Sequence, residues 1–152
     1  MLRIGKLTDY AILILSQMAK EPHSILSATA LAEVLHLNVP TVSKILKILS
    51  DASLVSSVRG AEGGYHLARP ANEITIADII TSMEGEVAMT ECCESTNLCA
   101  IDSMCTLKEN WRKINKMVQL LLTKFTITDM LNPIPLQKNI LESVFGGLKD
   151  GE

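Results

Sequence analysis

Three cysteines stand at even spacing in one short segment, Cys93-x5-Cys99-x5-Cys105, and the fourth, Cys92, adjoins the first. Three thiolates on one loop can converge on a soft metal. Thiolate sulfur favours iron–sulfur clusters, zinc or copper(I), and spacing by itself does not choose among them. Zinc signatures of this density more often use two-residue gaps. A set of unligated redox thiols is the plainer alternative. All four cysteines fall between residues 92 and 105, so they cannot staple distant segments as the disulfides of a secreted domain do. Adjacent side chains point apart, so Cys92 is expected to be a neighbour or spare thiol rather than the equal of Cys93. There is no Cys-x-x-Cys pair, and His23, His36 and His66 lie far upstream, which argues against a thiol enzyme.

A second set of residues points to nucleic acid. Pro40 opens a helical pattern in which Val42, Ile45, Leu46 and Leu49 recur on one face, leaving Thr41, Ser43, Lys44 and Lys47 outside it. An amphipathic segment with inward Leu31, Val34 and Leu35 precedes it across a break at Leu37-Asn38. Two short β-prone runs follow, Leu54–Val58 and Tyr65–Leu67, joined by the glycine-rich Arg59-Gly-Ala-Glu-Gly-Gly64. Two helices with a tight break, then a hairpin, make a winged helix-turn-helix. Its second helix enters the major groove, where Lys44 can bond guanine acceptors and the hydroxyls of Thr41 and Ser43 can meet bases or phosphates. Arg59, beside glycine on the wing, suits a narrow minor groove. The alternative is that Lys44 and Lys47 are merely solvated, or that the winged helix binds protein and a metal loop stabilises it.

The remaining elements must position these two sets. Residues 7–20 read as a first helix capped by Thr8 or Asp9, and Thr75 starts another with Ile76, Ile79, Ile80 and Met83 inward. From Leu107 to Phe125 a long helix carries Trp111, Ile114, Val118, Leu121 and Phe125 at steps of three and four, widened by Met117 and Leu122, a heptad-like seam for a second copy. Hydrophobic residues make up 47% of the 152 and aromatics only 3%, so the core is aliphatic and the class mainly α. The expected organisation is a DNA-binding domain over 1–84, a cysteine loop over 85–106, a dimerisation helix with a short following helix over 107–131, and a tail over 132–152. Within that tail Ile140, Leu141, Val144 and Phe145 can form a short helix.

The net charge of −3 is unevenly spread. Residues 1–69 hold seven Lys/Arg against five Asp/Glu, whereas residues 70–152 hold seven against twelve. A dimer can therefore turn its basic half toward DNA and its acidic half away. The apolar run Tyr10–Leu15 is too short to span a membrane and lacks a signal-like cleavage site, so a cytoplasmic location is expected.

Met1-Leu-Arg-Ile-Gly-Lys-Leu-Thr-Asp-Tyr10 and Leu54-Val-Ser-Ser-Val-Arg-Gly-Ala-Glu-Gly-Gly-Tyr65 resemble the IscR/NsrR family of bacterial regulators, the Rrf-two family. Pro40–Lys47 and Ile76–Ile80 look most like its branch of regulators of SUF iron–sulfur assembly. The likeness runs from residue 1 to about residue 131. It implies a homodimer on a two-fold operator, Arg59 as the minor-groove contact, and a 2Fe-2S or 4Fe-4S cluster on Cys93, Cys99 and Cys105. It also implies a repressor of iron–sulfur assembly genes, with nitric oxide or redox sensing as the alternative. Some family members take their fourth ligand from a histidine three residues past the last cysteine. That position here is Lys108, a poor ligand while protonated. In nitric-oxide-sensing members an aspartate near the N-terminus completes the cluster from the other subunit, and Asp9 matches it. A helix cap competes for the same carboxylate.

Overall fold

A computed structural model describes residues 3–94, 99–101 and 103–134. Along the chain run α1 (Lys6–Lys20), α2 (Ala28–Leu35), α3 (Val39–Asp51), β1 (Val55–Val58), β2 (Gly64–Leu67), α4 (Ile76–Glu84), α5 (Lys108–Lys124) and α6 (Ile127–Met130). Short 3₁₀ turns cover Ala71–Glu73 and Glu91–Cys93. The fold is mainly helical, with one two-stranded antiparallel sheet in which Val55 faces Leu67 and Val58 faces Gly64.

Local chemistry sets these boundaries. Ser27 caps α2 by accepting from the Ala30 amide, and Asn38 caps α3 by accepting from the Thr41 amide at 2.9 Å. Between them His36 closes α2 in the left-handed conformation, φ 52°, so that the chain turns sharply into α3. Thr75 and Asp78 form a reciprocal capping box on α4. Asp78 also receives Arg69 at 3.2 Å, which ties the end of the wing to α4.

The core is aliphatic, as its composition requires. Ile14, Leu15 and Met18 of α1 meet Leu31 of α2, Val42, Ile45, Leu46 and Leu49 of α3, Leu54, and Ile79 of α4. Ile127 of α6 is fully buried in the same cluster. It is held there by two backbone bonds, Ile76 N to Phe125 O and Ile127 N to Ile74 O. The end of α5 is thereby fastened to the winged-helix core.

Three expectations are corrected. The N-cap of α1 is Gly5, not Thr8 or Asp9, and Asp9 lies in the first helical turn with its amide bonded to Gly5 O. Val34 faces outward at 58% exposure, because two turns of α2 need only Leu31, Ala32 and part of Leu35 to cover the core. The apolar stripe on α5 divides between the chain's own core and solvent. Leu122 and Phe125 pack on the core and Asn115 is buried, whereas Ile114, Met117 and Leu121 are exposed. The short helix expected at Ile140–Phe145 lies outside the described residues.

Candidate nucleic-acid interface and cysteine loop

Val42, Ile45, Leu46 and Leu49 are completely buried, which fixes the rotation of α3. Lys44 and Lys47 are consequently exposed on its outer face, with Thr41 and Ser43 half-buried at its edge. Arg59 is exposed just past the end of β1. The wing then turns through Gly60 at φ 123°, a conformation that disfavours a side chain. Gly64 lets Leu26 approach the sheet. The Leu26 and Tyr65 backbones exchange two 2.9 Å hydrogen bonds, and a Cβ at Gly64 would stand 2.6 Å from Leu26 O. The wing is thus braced against the segment that leads into α2, and two elements bearing cations, α3 and the wing turn, belong to one packed unit.

The protein family Rrf2, described as "Iron-dependent Transcriptional regulator", matches residues 4–133. The chain belongs to this family. The NsrR transcriptional regulator of Oceanobacillus iheyensis is 31% identical over 132 residues, 86% of this chain and 90% of that protein. Among solved structures, T. potens IscR aligns at TM-score 0.65 with 29% identity, covering 86% of each chain. CymR, the global cysteine regulator of B. subtilis, aligns at TM-score 0.68 with 28% identity, covering 86% of this chain and 97% of that one. The protein is a winged-helix DNA-binding transcriptional regulator, not an enzyme. Among the described residues no helix is long and apolar enough to cross a membrane.

The cysteine segment begins where α4 ends. Glu84, the last residue of α4, accepts from the Gly5 amide at 2.7 Å and from the Thr8 hydroxyl, and so caps α1 from another helix. Beyond it, Asn115 of α5 grips the chain like a neighbouring strand. Its amide donates to Val87 O at 3.0 Å and accepts from Met89 N at 2.9 Å, and Gln119 adds a second bond to Val87 O. Arg112 donates to Cys92 O at 3.4 Å. Sequence reading missed both Glu84 and Asn115. Asn115 was detectable, since it falls on the helical series Trp111, Asn115, Val118, Leu122, where a polar residue needs a partner.

All four cysteines are free thiols. Cys93, Cys99 and Cys105 are half-buried and Cys92 is 6% exposed. Cys92 and Cys93 do not diverge as adjacent side chains were expected to, because both sulfurs lie 3.2 Å from the Thr90 hydroxyl. They line an open pocket of about 300 Å³ with Glu86, Glu94, Arg112 and Lys116. The donor set of Cys93, Cys99 and Cys105 suits a soft metal, being three accessible thiols. Among the described residues, however, no three His, Cys, Asp or Glu side chains stand together closely enough to hold an ion. Asp9 is exposed on α1, and among the described residues its carboxylate makes no hydrogen bond or ion pair.

Proposed function

We propose that the protein is a homodimeric, cytoplasmic repressor of iron–sulfur assembly genes, whose grip on a two-fold operator is set by a cluster on Cys93, Cys99 and Cys105. One observation carries this reading: the first part of the cysteine segment is bonded to α1 and to α5. Glu84 joins its start to α1, and Asn115 and Arg112 join its course to α5. α4 packs in turn on α3, the helix that presents Lys44 and Lys47. Gathering three thiols around a cluster would therefore bear on elements linked to the recognition helix, a shared element of the kind that coupling requires.

The family description as iron-dependent supports the same reading. So does the carboxylate of Asp9, which has no partner among the described residues and would be placed to complete the cluster from a second subunit. Thr41, Ser43, Lys44, Lys47 and Arg59 supply the operator contacts in this scheme. Control of SUF assembly genes rests on the likeness of Pro40–Lys47 and Ile76–Ile80 to that branch. Nitric oxide or redox sensing is the second reading, favoured by the position of Asp9.

The test is to purify the full chain without oxygen and split it into loaded and chelator-stripped portions. Each is titrated at matched salt with duplexes that the protein itself selects from a random library. The expected result is a brown protein with visible absorption and a change in operator affinity of about tenfold, roughly 1.4 kcal/mol of coupling, on stripping. A colourless zinc protein, or equal affinities of the two forms, would overturn it.

A further inference from the structure

Cys92 has no role in the cluster reading, yet it is placed with care. The 3₁₀ turn Glu91–Cys93 is closed by Cys93 N to Thr90 O at 2.8 Å and Glu94 N to Glu91 O at 3.2 Å. Within that turn the two sulfurs converge on one oxygen, Thr90 Oγ1, at 3.2 Å each. Cys92 is nearly sealed from solvent and Cys93 is reachable, and both border the same open pocket. An accessible thiol beside a shielded one is the arrangement of an attacking cysteine with its resolving partner.

We propose that Cys92 and Cys93 form a vicinal redox pair that a peroxide oxidises to a disulfide. The Cys93 sulfur, as thiolate, attacks one peroxide oxygen. The O–O bond breaks, the leaving hydroxide takes a proton to become water, and Cys93 becomes a sulfenic acid. The Cys92 sulfur then gives up its proton and attacks the Cys93 sulfur. The S–O bond breaks and a second water departs. Two thiols lose two electrons and two protons, and the peroxide is reduced to two waters.

Such a bond is built to be undone. Neighbouring Cα atoms sit about 3.8 Å apart, short of the roughly 4.4–6.8 Å that relaxed disulfides span. The strain makes the bond a good oxidant, easily reopened by a dithiol, as expected of a regulatory rather than a structural bridge. Its consequence for the cluster rests on the proposed function: oxidation removes the Cys93 thiolate and keeps a stripped chain from reloading until it is reduced.

The sequence around the pair makes the test direct. A protease that cleaves after glutamate cuts at Glu91 and Glu94, releasing Cys92-Cys93-Glu94 free of Cys99 and Cys105. The reduced, cluster-free full chain is exposed to hydrogen peroxide, its remaining thiols are alkylated, and it is denatured and digested. The expected product is an unalkylated tripeptide lighter than the dithiol by two hydrogens, which a dithiol reductant converts back. A doubly alkylated tripeptide, or one linked to the peptide carrying Cys99 or Cys105, overturns the pair. In Cys92→Ser the sulfenic acid should persist and be trapped at Cys93 by a cyclic diketone, with no such adduct in the parent chain. Equal trapping in both chains also overturns it. Neither measurement needs a cluster, so failure of the cluster reading leaves this test intact.

Discussion

Glu84 caps a helix to which it does not belong: its carboxylate takes the Gly5 amide and the Thr8 hydroxyl at the start of α1, 79 and 76 residues away in sequence. Thr8 is 1% exposed, so Glu84→Ala strands a buried hydroxyl and an uncapped amide together. The expected loss is about 1–3 kcal/mol. Urea unfolding measures it, and Glu84→Gln, which keeps an acceptor, should lose less. Equal midpoints for the alanine variant and the parent would show that the clasp is energetically idle.

Asn115→Leu fits an apolar side chain into a buried site but removes the partner of Met89 N, while Gln119 still serves Val87 O. A buried, unpaired amide costs on the order of 1–3 kcal/mol. Because the lost bond holds the approach to the cysteines, hydrogen exchange at Met89 should accelerate more than at α3 amides. Uniform acceleration across both would mean global destabilisation rather than release of this segment.

These two residues mark the limit of what the sequence discloses. The rotation of α3 was legible because all four apolar positions point to one core, and the cap at Thr75 was legible because it acts within its own turn. The start of α1 was not, since its cap comes from Glu84 at the far end of α4. On α5, a heptad reading joined Trp111, Ile114, Val118, Leu121 and Phe125, but a straight helix repeats every 3.6 residues. Asn115 and Leu122 each lie one residue, about 100° of rotation, past Ile114 and Leu121, so an inner series and an outer one that includes Met117 run side by side along the 17 residues. The cysteines announced their chemistry by spacing, whereas the convergence of Cys92 and Cys93 on Thr90 depends on a turn that no periodicity reveals.

Arg59→Ala should weaken operator binding by about 1–3 kcal/mol if its guanidinium fills a minor groove. The fold should survive, because Arg59 is exposed on the wing turn. Lys44→Ala should change sequence preference, and Lys47→Ala should weaken all sequences alike if Lys47 meets only phosphate. Competition among operator variants at fixed salt separates these outcomes, and identical profiles for the two lysine variants would remove the distinction.

The outer series of α5 is expected to form the dimer seam. Ile114, Met117 and Leu121 are 41%, 36% and 37% exposed, an apolar strip that the chain's own core leaves uncovered. Leu121→Asp should give a monomer in sedimentation, with poor operator affinity because one half-site supplies only part of the contacts. Its helical content should be unchanged, since Leu121 lies outside the core. A dimer that persists in this variant would move the seam elsewhere.

Substitution separates the proposed cluster ligands. Cys93→Ser, Cys99→Ser and Cys105→Ser should each abolish or severely weaken cluster binding, because a serine oxygen is a harder and poorer partner for iron than a thiolate. Cys92→Ser should leave most of it bound. Asp9→Ala should differ from both groups. Asp9 is not the cap of α1, and its exposed carboxylate has no partner among the described residues, so its removal should cost little stability beyond its first-turn interaction with the helix dipole, about 0.3–1 kcal/mol. If it completes the cluster of a second subunit, three thiolates still hold the group but one iron opens to solvent. The visible spectrum should then change, loss in air should quicken, and the difference in operator affinity between loaded and stripped protein should shrink. An unchanged spectrum and lifetime in Asp9→Ala would exclude it as a ligand and turn attention to Cys92, Glu91, Glu94 or a small exogenous ligand.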